Sequence, residues 1–175
     1  DGIAKLYQFL IPTARIIGPS PAYSTHSSAE AAHANTSPIT YMLDPDNNWY
    51  PDMEDLYNKV KYNPGIVGIL IINPDNPTGM VYPREVLERF VAIAKEFKLL
   101  LIADEIYQNI TYNGYEAIAL SEVLGDLPGI SMKGISKEFP WPGSRCGWME
   151  FYNKQSSTEF QKLCTTLENA KMIEV

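Results

Sequence analysis

The chain is poor in the residues that most often announce chemistry: of its 175 residues, two are cysteine and two are histidine. Two cysteines, Cys146 and Cys164, do not build a disulfide framework, which makes the cytoplasm the expected location. Cys146 reads as a small buried apolar residue. His26 and His33 lack metal-like spacing with other ligands, so no metal is expected. Basic charge is also scarce. With 14 Lys and Arg against 21 Asp and Glu, the net charge is −7, which argues against nucleic acid or an anionic membrane as partner. No apolar run approaches the ~18 residues of a membrane span. The opening Asp1-Gly2-Ile3-Ala4-Lys5 has no basic-then-apolar signal pattern. No Gly-x4-Gly-Lys-Ser/Thr occurs, so the apolar run ending in Asp104-Glu105 is not read as the metal-binding strand of a P-loop nucleotidase. Repeats, linkers and low-complexity segments are absent. At 45% apolar the length suffices for a sizeable core, and residues 1–175 are expected to form a single domain.

What is present alternates between two periods. Apolar runs at Ile39–Leu43, Val67–Ile72, Leu99–Ala103, Ile130–Lys133 and Cys146–Phe151 read as strands. Helical patterns fall between them, at roughly Thr25–Ala34, Met53–Lys61, Arg84–Phe97 and Thr158–Lys171. The third is the clearest: Pro83 suits its start, and Val86, Leu87, Phe90, Val91, Ala94 and Phe97 make one apolar face. Alternation of strand and helix predicts an α/β fold, a three-layer α/β/α sandwich around a mostly parallel sheet. Asp44 to Asp52 is dense in turn formers and reads as a surface connection, with Asp52 able to cap the helix that follows.

Four segments carry chemistry at strand ends, where α/β proteins place ligands. The run Val67 to Ile72 stops in Asn73-Pro74-Asp75-Asn76-Pro77-Thr78-Gly79, a loop that cannot continue a strand. Asn73 and Asp75 are expected to shape that turn rather than touch a ligand. A second run, Leu99 to Ala103, ends in Asp104-Glu105-Ile106-Tyr107, and a carboxylate at a buried strand tip is costly unless it finds a donor or cation. Glu105 is not expected to touch the ligand. The third is Ser131-Met132-Lys133-Gly134-Ile135-Ser136-Lys137. The fourth is Arg145, behind the stiff Phe139-Pro140-Trp141-Pro142-Gly143 passage. Together they offer an amine, a fixed anion, a phenol, an amide and a guanidinium. That set suits a cofactor with an aldehyde, a pyridine nitrogen, a phenolic oxygen and a phosphate, which is pyridoxal 5′-phosphate.

With Pro21-Ala22-Tyr23, Asn76-Pro77-Thr78-Gly79, Asp104-Glu105-Ile106-Tyr107 and Ser136-Lys137 followed by Arg145, the chain resembles the fold-type I, pyridoxal-phosphate-dependent aminotransferases (class I/II, aspartate-aminotransferase-like). The spacings fit: 28 residues from Asn76 to Asp104, 33 on to Lys137 and eight to Arg145. The resemblance implies amino-group transfer between an amino acid and a 2-oxo acid through a lysine Schiff base. It makes Lys137 the Schiff-base lysine and proton shuttle, Asp104 the partner of the pyridinium nitrogen, and Asn76 and Tyr107 the partners of the phenolic oxygen. Tyr23 matches the aromatic stacked on the ring, His26 a histidine supporting the aspartate, Arg145 the phosphate ligand, and Ser136 a further candidate beside it. His33 is left as a helix-surface residue.

Departures follow from the same resemblance. Gly134 stands where the family often has a phosphate-binding serine. Only Asp1 to Ser20 precede the Pro-x-aromatic segment, and the chain stops at Val175. It is therefore expected to be the central part of a cofactor-binding large domain, without the N-terminal phosphate cradle and the C-terminal small domain, and the isolated fragment is expected to be inactive. A homodimer is expected of the whole enzyme. Two rivals stand beside transamination: another reaction of the same cofactor, such as a C–S lyase or a decarboxylase, and a non-catalytic fragment that serves as a binding module.

Overall fold

The computed structural model describes residues 2–170. Among these residues five helices, α1 (Gly2–Gln8), α2 (Ser24–Ala34), α3 (Met53–Tyr62), α4 (Arg84–Phe97) and α5 (Thr158–Asn169), accompany seven strands. The strands are β1 (Arg15–Ser20), β2 (Thr40–Asp44), β3 (Tyr50–Pro51), β4 (Ile66–Ile72), β5 (Leu100–Asp104), β6 (Gly129–Gly134) and β7 (Gly147–Tyr152). They form one sheet in the order β3-β2-β1-β4-β5-β6-β7. Pairing is parallel from β2 through β6, with β3 and β7 antiparallel at the two edges. The expected mostly parallel sandwich is what forms.

Two apolar clusters lie on opposite faces of this sheet. On one, Ile69, Ile71, Leu101 and Ala103 pack with Leu56 and Val60 of α3 and with Val86, Leu87, Phe90, Ile93 and Ala94 of α4. On the other, Leu70, Ile72, Leu100, Ile102, Ile130 and Met132 pack with Leu6 and Tyr7 of α1 and with Phe160, Cys164 and Leu167 of α5. Because a strand alternates sides, neighbouring residues of β4 and β5 serve different layers. A fully buried parallel strand thus reads as a continuous apolar run. Asp52 caps α3 as its position suggests, its Oδ1 accepting from Glu54 N at 3.0 Å and Asp55 N at 2.9 Å.

Several elements differ from the sequence reading. Helix α1 and strand β1 fall where no element is predicted, because β1 interrupts its apolar pair Ile16-Ile17 with Arg15, Gly18 and Pro19. The 44–52 connection contains a 3-10 turn (Pro45–Asn47) and the two-residue strand β3. The buried side of α4 includes Ile93, while Val91 and Phe97 are only partly covered. The last predicted helix extends to Lys171, which lies outside the described residues.

Helix α2 docks through polar groups, its buried residues being His26 and Glu30, one turn apart. Glu30, 2% exposed, accepts from Arg15 Nε and, at 3.0 Å, from Arg15 Nη2. Arg15 also reaches Ser37 O at 2.9 Å. His33 is more than a surface residue, since its Nε2 lies 3.1 Å from Ile11 O and 3.0 Å from Ala14 O. Removing one partner of a buried pair leaves an uncompensated charge. Arg15→Met in the whole polypeptide should therefore cost about 3–5 kcal/mol of stability. Combining it with Glu30→Met should recover most of that loss, as chemical denaturation would measure.

Candidate active site

The carboxyl ends of β4, β5 and β6 and the loops that follow them enclose a cavity of about 480 Å³. Seven of the eight predicted site residues line it: Tyr23, Asn76, Asp104, Tyr107, Ser136, Lys137 and Arg145. His26 stands behind it. Met132, Lys133, Cys146, Trp148 and Met149 complete much of the wall. A buried strand ending abruptly puts its last side chain at the sheet's rim, and the parallel sheet puts three such ends together.

Asp104 closes β5, is 8% exposed and belongs to the α1–α2–α5 side of the sheet by alternation with Ile102. His26 Nε2 meets its Oδ2 at 2.9 Å, and Ile106 N donates to its Oδ1 at 3.2 Å. The desolvation that such a carboxylate suffers is offset by these donors. His26 itself is 1% exposed and stacks edge-on to Tyr23, centroids 6.4 Å apart. Tyr23 remains 44% exposed, so its ring is free to cover something flat.

The loop after β4 is built to hold Asn76. Asp75 Oδ2 accepts from Thr78 Oγ1 at 2.6 Å and Thr78 N at 3.1 Å, and Asp75 N donates to Met80 O at 2.8 Å. Burial raises the Asp75 carboxyl's pKa, opposed by those Thr78 contacts and by Asn76 N–H. Gly79, at φ +73°, takes the left-handed turn position that glycine adopts without strain. Asn73 Oδ1 receives Tyr82 N at 2.9 Å. Asn73 and Asp75 thus shape the turn, and Asn76 is left with Nδ2 3.5 Å from Tyr107 OH, at the outer edge of hydrogen-bond range.

Lys137 is exposed, and its Nζ lies 5.7 Å from the Tyr107 ring centroid. Among the described residues no carboxylate lies within ion-pair distance of it. Arg145 follows a 3-10 turn (Pro142–Ser144), adopts the left-handed φ of 52° and donates from Nη1 to Pro142 O at 2.8 Å. Gly134 has a steric cause. A Cβ there would stand 3.0 Å from Ile106 Cδ1 and 3.1 Å from Cys146 O, so a serine would fit only if the closing β6–β7 pair and Ile106 gave way by a few tenths of an ångström. The expectation that Cys146 is buried is wrong: it is exposed in the cavity wall, because the segment before β7 turns outward with Arg145.

The sequence reading set Glu105 aside from the ligand and gave Lys133 no role. Glu105 is 4% exposed and its Oε1 accepts from Leu120 N at 2.6 Å. Lys133 Nζ lies 3.6 Å from Glu105 Oε2 and 3.2 Å from Glu150 Oε2. The available signal was alternation: Lys133 sits one residue out of phase with Met132, and Glu105 one out of phase with Asp104.

Comparison with known proteins agrees with this geometry. The family described as aminotransferase class I and II matches residues 2–171. An uncharacterised aminotransferase of Methanocaldococcus jannaschii is 56% identical over all of this chain and 40% of its own length. The glutamate–pyruvate aminotransferase AlaA of Escherichia coli K12 is 37% identical over 75% of this chain and 32% of its own. A crystal structure of an aminotransferase from Escherichia coli superposes with a TM-score of 0.83 at 31% identity, covering 95% of this chain and 41% of that one. The chain thus spans less than half the length of these relatives.

His26 and Asp104 should be coupled in the free protein. His26→Leu removes the donor to a buried carboxylate and should destabilise by about 2 kcal/mol. His26→Gln, which can still donate, should lose less in the same denaturation experiment.

Proposed function

The chain belongs to the class I and II aminotransferase family, and from that premise we propose that the whole protein transfers an amino group between an amino acid and a 2-oxo acid with the help of pyridoxal 5′-phosphate. The observation that carries this reading is the meeting of an exposed lysine without an ion-pair partner among the described residues (Lys137) and a buried, donor-held aspartate (Asp104) on one cavity. A volume of about 480 Å³ suits a small-molecule site. The donor set also fits the cofactor group by group. Lys137 suits an aldehyde, Asp104 a pyridine nitrogen, Asn76 with Tyr107 a phenolic oxygen, and Arg145 with Ser136 a phosphate. Tyr23 offers a ring face, and His26 steadies Asp104.

When bound, the cofactor supplies an electron sink for the pair left as the substrate Cα–H bond breaks. The chain's residues supply the rest. Lys137 Nζ would be the nucleophile toward the aldehyde and the base that takes up the Cα proton. Asp104, fixed at both oxygens by His26 and Ile106 N–H, would hold a proton on the ring nitrogen. Tyr107 and Asn76, already near each other, would offer one acceptor a hydroxyl and an amide donor. Arg145 brings a guanidinium whose planar donors match phosphate.

Within this proposal the chain is the central part of the cofactor-binding domain, and the remaining length supplies further phosphate and substrate contacts. Cytoplasmic residence is supported by two free cysteines. A homodimer is supported by large apolar side chains left open beside the cavity, Phe139 at 59% and Trp141 at 63% exposure. Glutamate with pyruvate is the first substrate pair to test, since the Escherichia coli relative bears those names.

In the whole protein, Lys137→Ala should abolish amino transfer, and retention of near wild-type turnover would remove Lys137 from the mechanism. Asp104→Asn should lower the rate by roughly 10²–10³, the scale of losing one preorganised electrostatic contact. An unchanged rate would make Asp104 structural. Ammonia release without a 2-oxo acid acceptor would reassign the reaction to a lyase on the same site.

A further inference from the structure

Two lysines line the cavity, and only one is expected to react. The inference below rests on the reading of Lys137 as that one and asks what disarms the other. Lys133 is the fifth residue of β6 and stands opposite Trp148 of β7. Its ammonium lies between Glu150 Oε2 at 3.2 Å and Glu105 Oε2 at 3.6 Å. Both carboxylates have further donors. Glu150 accepts from Trp148 Nε1 at 3.0 Å and from Tyr152 OH at 2.6 Å. Glu105 is pinned by Leu120 N–H and buried. Lys137, four residues on, has no such partner among the described residues.

We infer that Glu105 and Glu150 hold Lys133 as a permanently charged clamp across β5, β6 and β7, withdrawing it from reaction with carbonyl compounds so that Lys137 is the reactive amine of the two. A protonated amine has no lone pair to attack a carbonyl. Burial on its own would favour neutral Lys133, but the Glu150 hydrogen bond and the charges of Glu105 and Glu150 outweigh it and raise the pKa. Tyr152 is the other titratable group that faces the ammonium. On the carboxylate side, burial acts to raise Glu150, yet its bonds from Tyr152, Trp148 and Lys133 bring it below the usual carboxylate value. Glu105 is lifted by burial, opposed by Leu120 N–H and Lys133.

Limited reductive methylation of the whole protein with formaldehyde and cyanoborohydride reads free amine at each lysine, without the cofactor. The amine condenses with the aldehyde, losing water, and the hydride reduces the resulting C=N bond. Peptide mass spectrometry should show Lys133 labelled far more slowly than Lys137. Glu105→Gln with Glu150→Gln preserves bulk and one acceptor oxygen in each side chain while removing both charges. That variant should accelerate Lys133 labelling about tenfold at pH 8, and should move the pH midpoint down. Glu150→Gln alone, at a more exposed site, provides a milder version should the double variant fold poorly. Equal wild-type rates at the two lysines would overturn the inference, as would an unmoved Lys133 pH profile in either variant, which would make its slowness mere burial. Pyridoxal phosphate and borohydride on the wild type separate the two claims. Adduct on Lys137 alone supports both, adduct on Lys133 sinks this inference, and adduct on neither sinks the reading of Lys137.

Discussion

The pairing of β5 with β6 is the constraint on which the site depends. Four consecutive register pairs, from Leu101 with Gly129 to Asp104 with Met132, fix where the carboxylate ends and where the chain must leave toward Lys137. Neither side chain has to be aimed by a long-range contact, because both belong to strands joined by backbone hydrogen bonds. A slip of one residue would exchange the faces of β5 and put Asp104 among Leu120 and Leu124. The apolar runs on both strands oppose such a slip, since Ile102 and Ile130 serve one layer and Leu101 the other.

That register sorts charge as well as apolar area. Asp104 meets His26 on one side of the sheet, and Glu105, the next residue, meets Leu120 N–H and Lys133 on the other. Two adjacent acids are thereby kept from sharing one environment. Each finds donors within its own layer, which offsets the cost of taking a carboxylate out of water. Helix α2 shows the same economy: its buried residues, His26 and Glu30, are both polar, Glu30 pairing with Arg15 of β1 and His26 Nε2 with Asp104 of β5. It carries Tyr23 at its start, so the pair that holds the helix down also sets the approach to the cavity.

Much of this was legible in the sequence. The parallel sandwich followed from alternating periods, the Asp52 cap from residue type and place, and the cavity-lining set from acids, amines and amides at strand ends. What escaped notice did so for physical reasons. Strand β1 has too few apolar residues to stand out, since Gly18 and Pro19 occupy its second half and its Arg15 is consumed by Glu30. Helix α2 has almost no apolar face to detect. Cys146 was misplaced because exposure was inferred from residue type, whereas the left-handed bend at Arg145 decides it. Lys133 and Glu105 form their bond across strands, and single-strand patterns carry no record of a partner.

Gly134 shows how fold and site bargain over one position. The antiparallel β6–β7 closure brings Gly134 against Gly147, with Ile106 and the Cys146 carbonyl so near that a Cβ would be tightly packed. A side chain is thus disfavoured there by the same contact that ends the sheet and launches the segment toward Arg145. If a phosphate is held at this rim, its anchoring falls on backbone N–H groups, on Ser136 and on Arg145. A guanidinium has five N–H donors, and the bond from Nη1 to Pro142 O uses one of them. The left-handed turn that strains Arg145 therefore also preorganises it, fixing one arm of the fork while leaving the remaining donors for an anion.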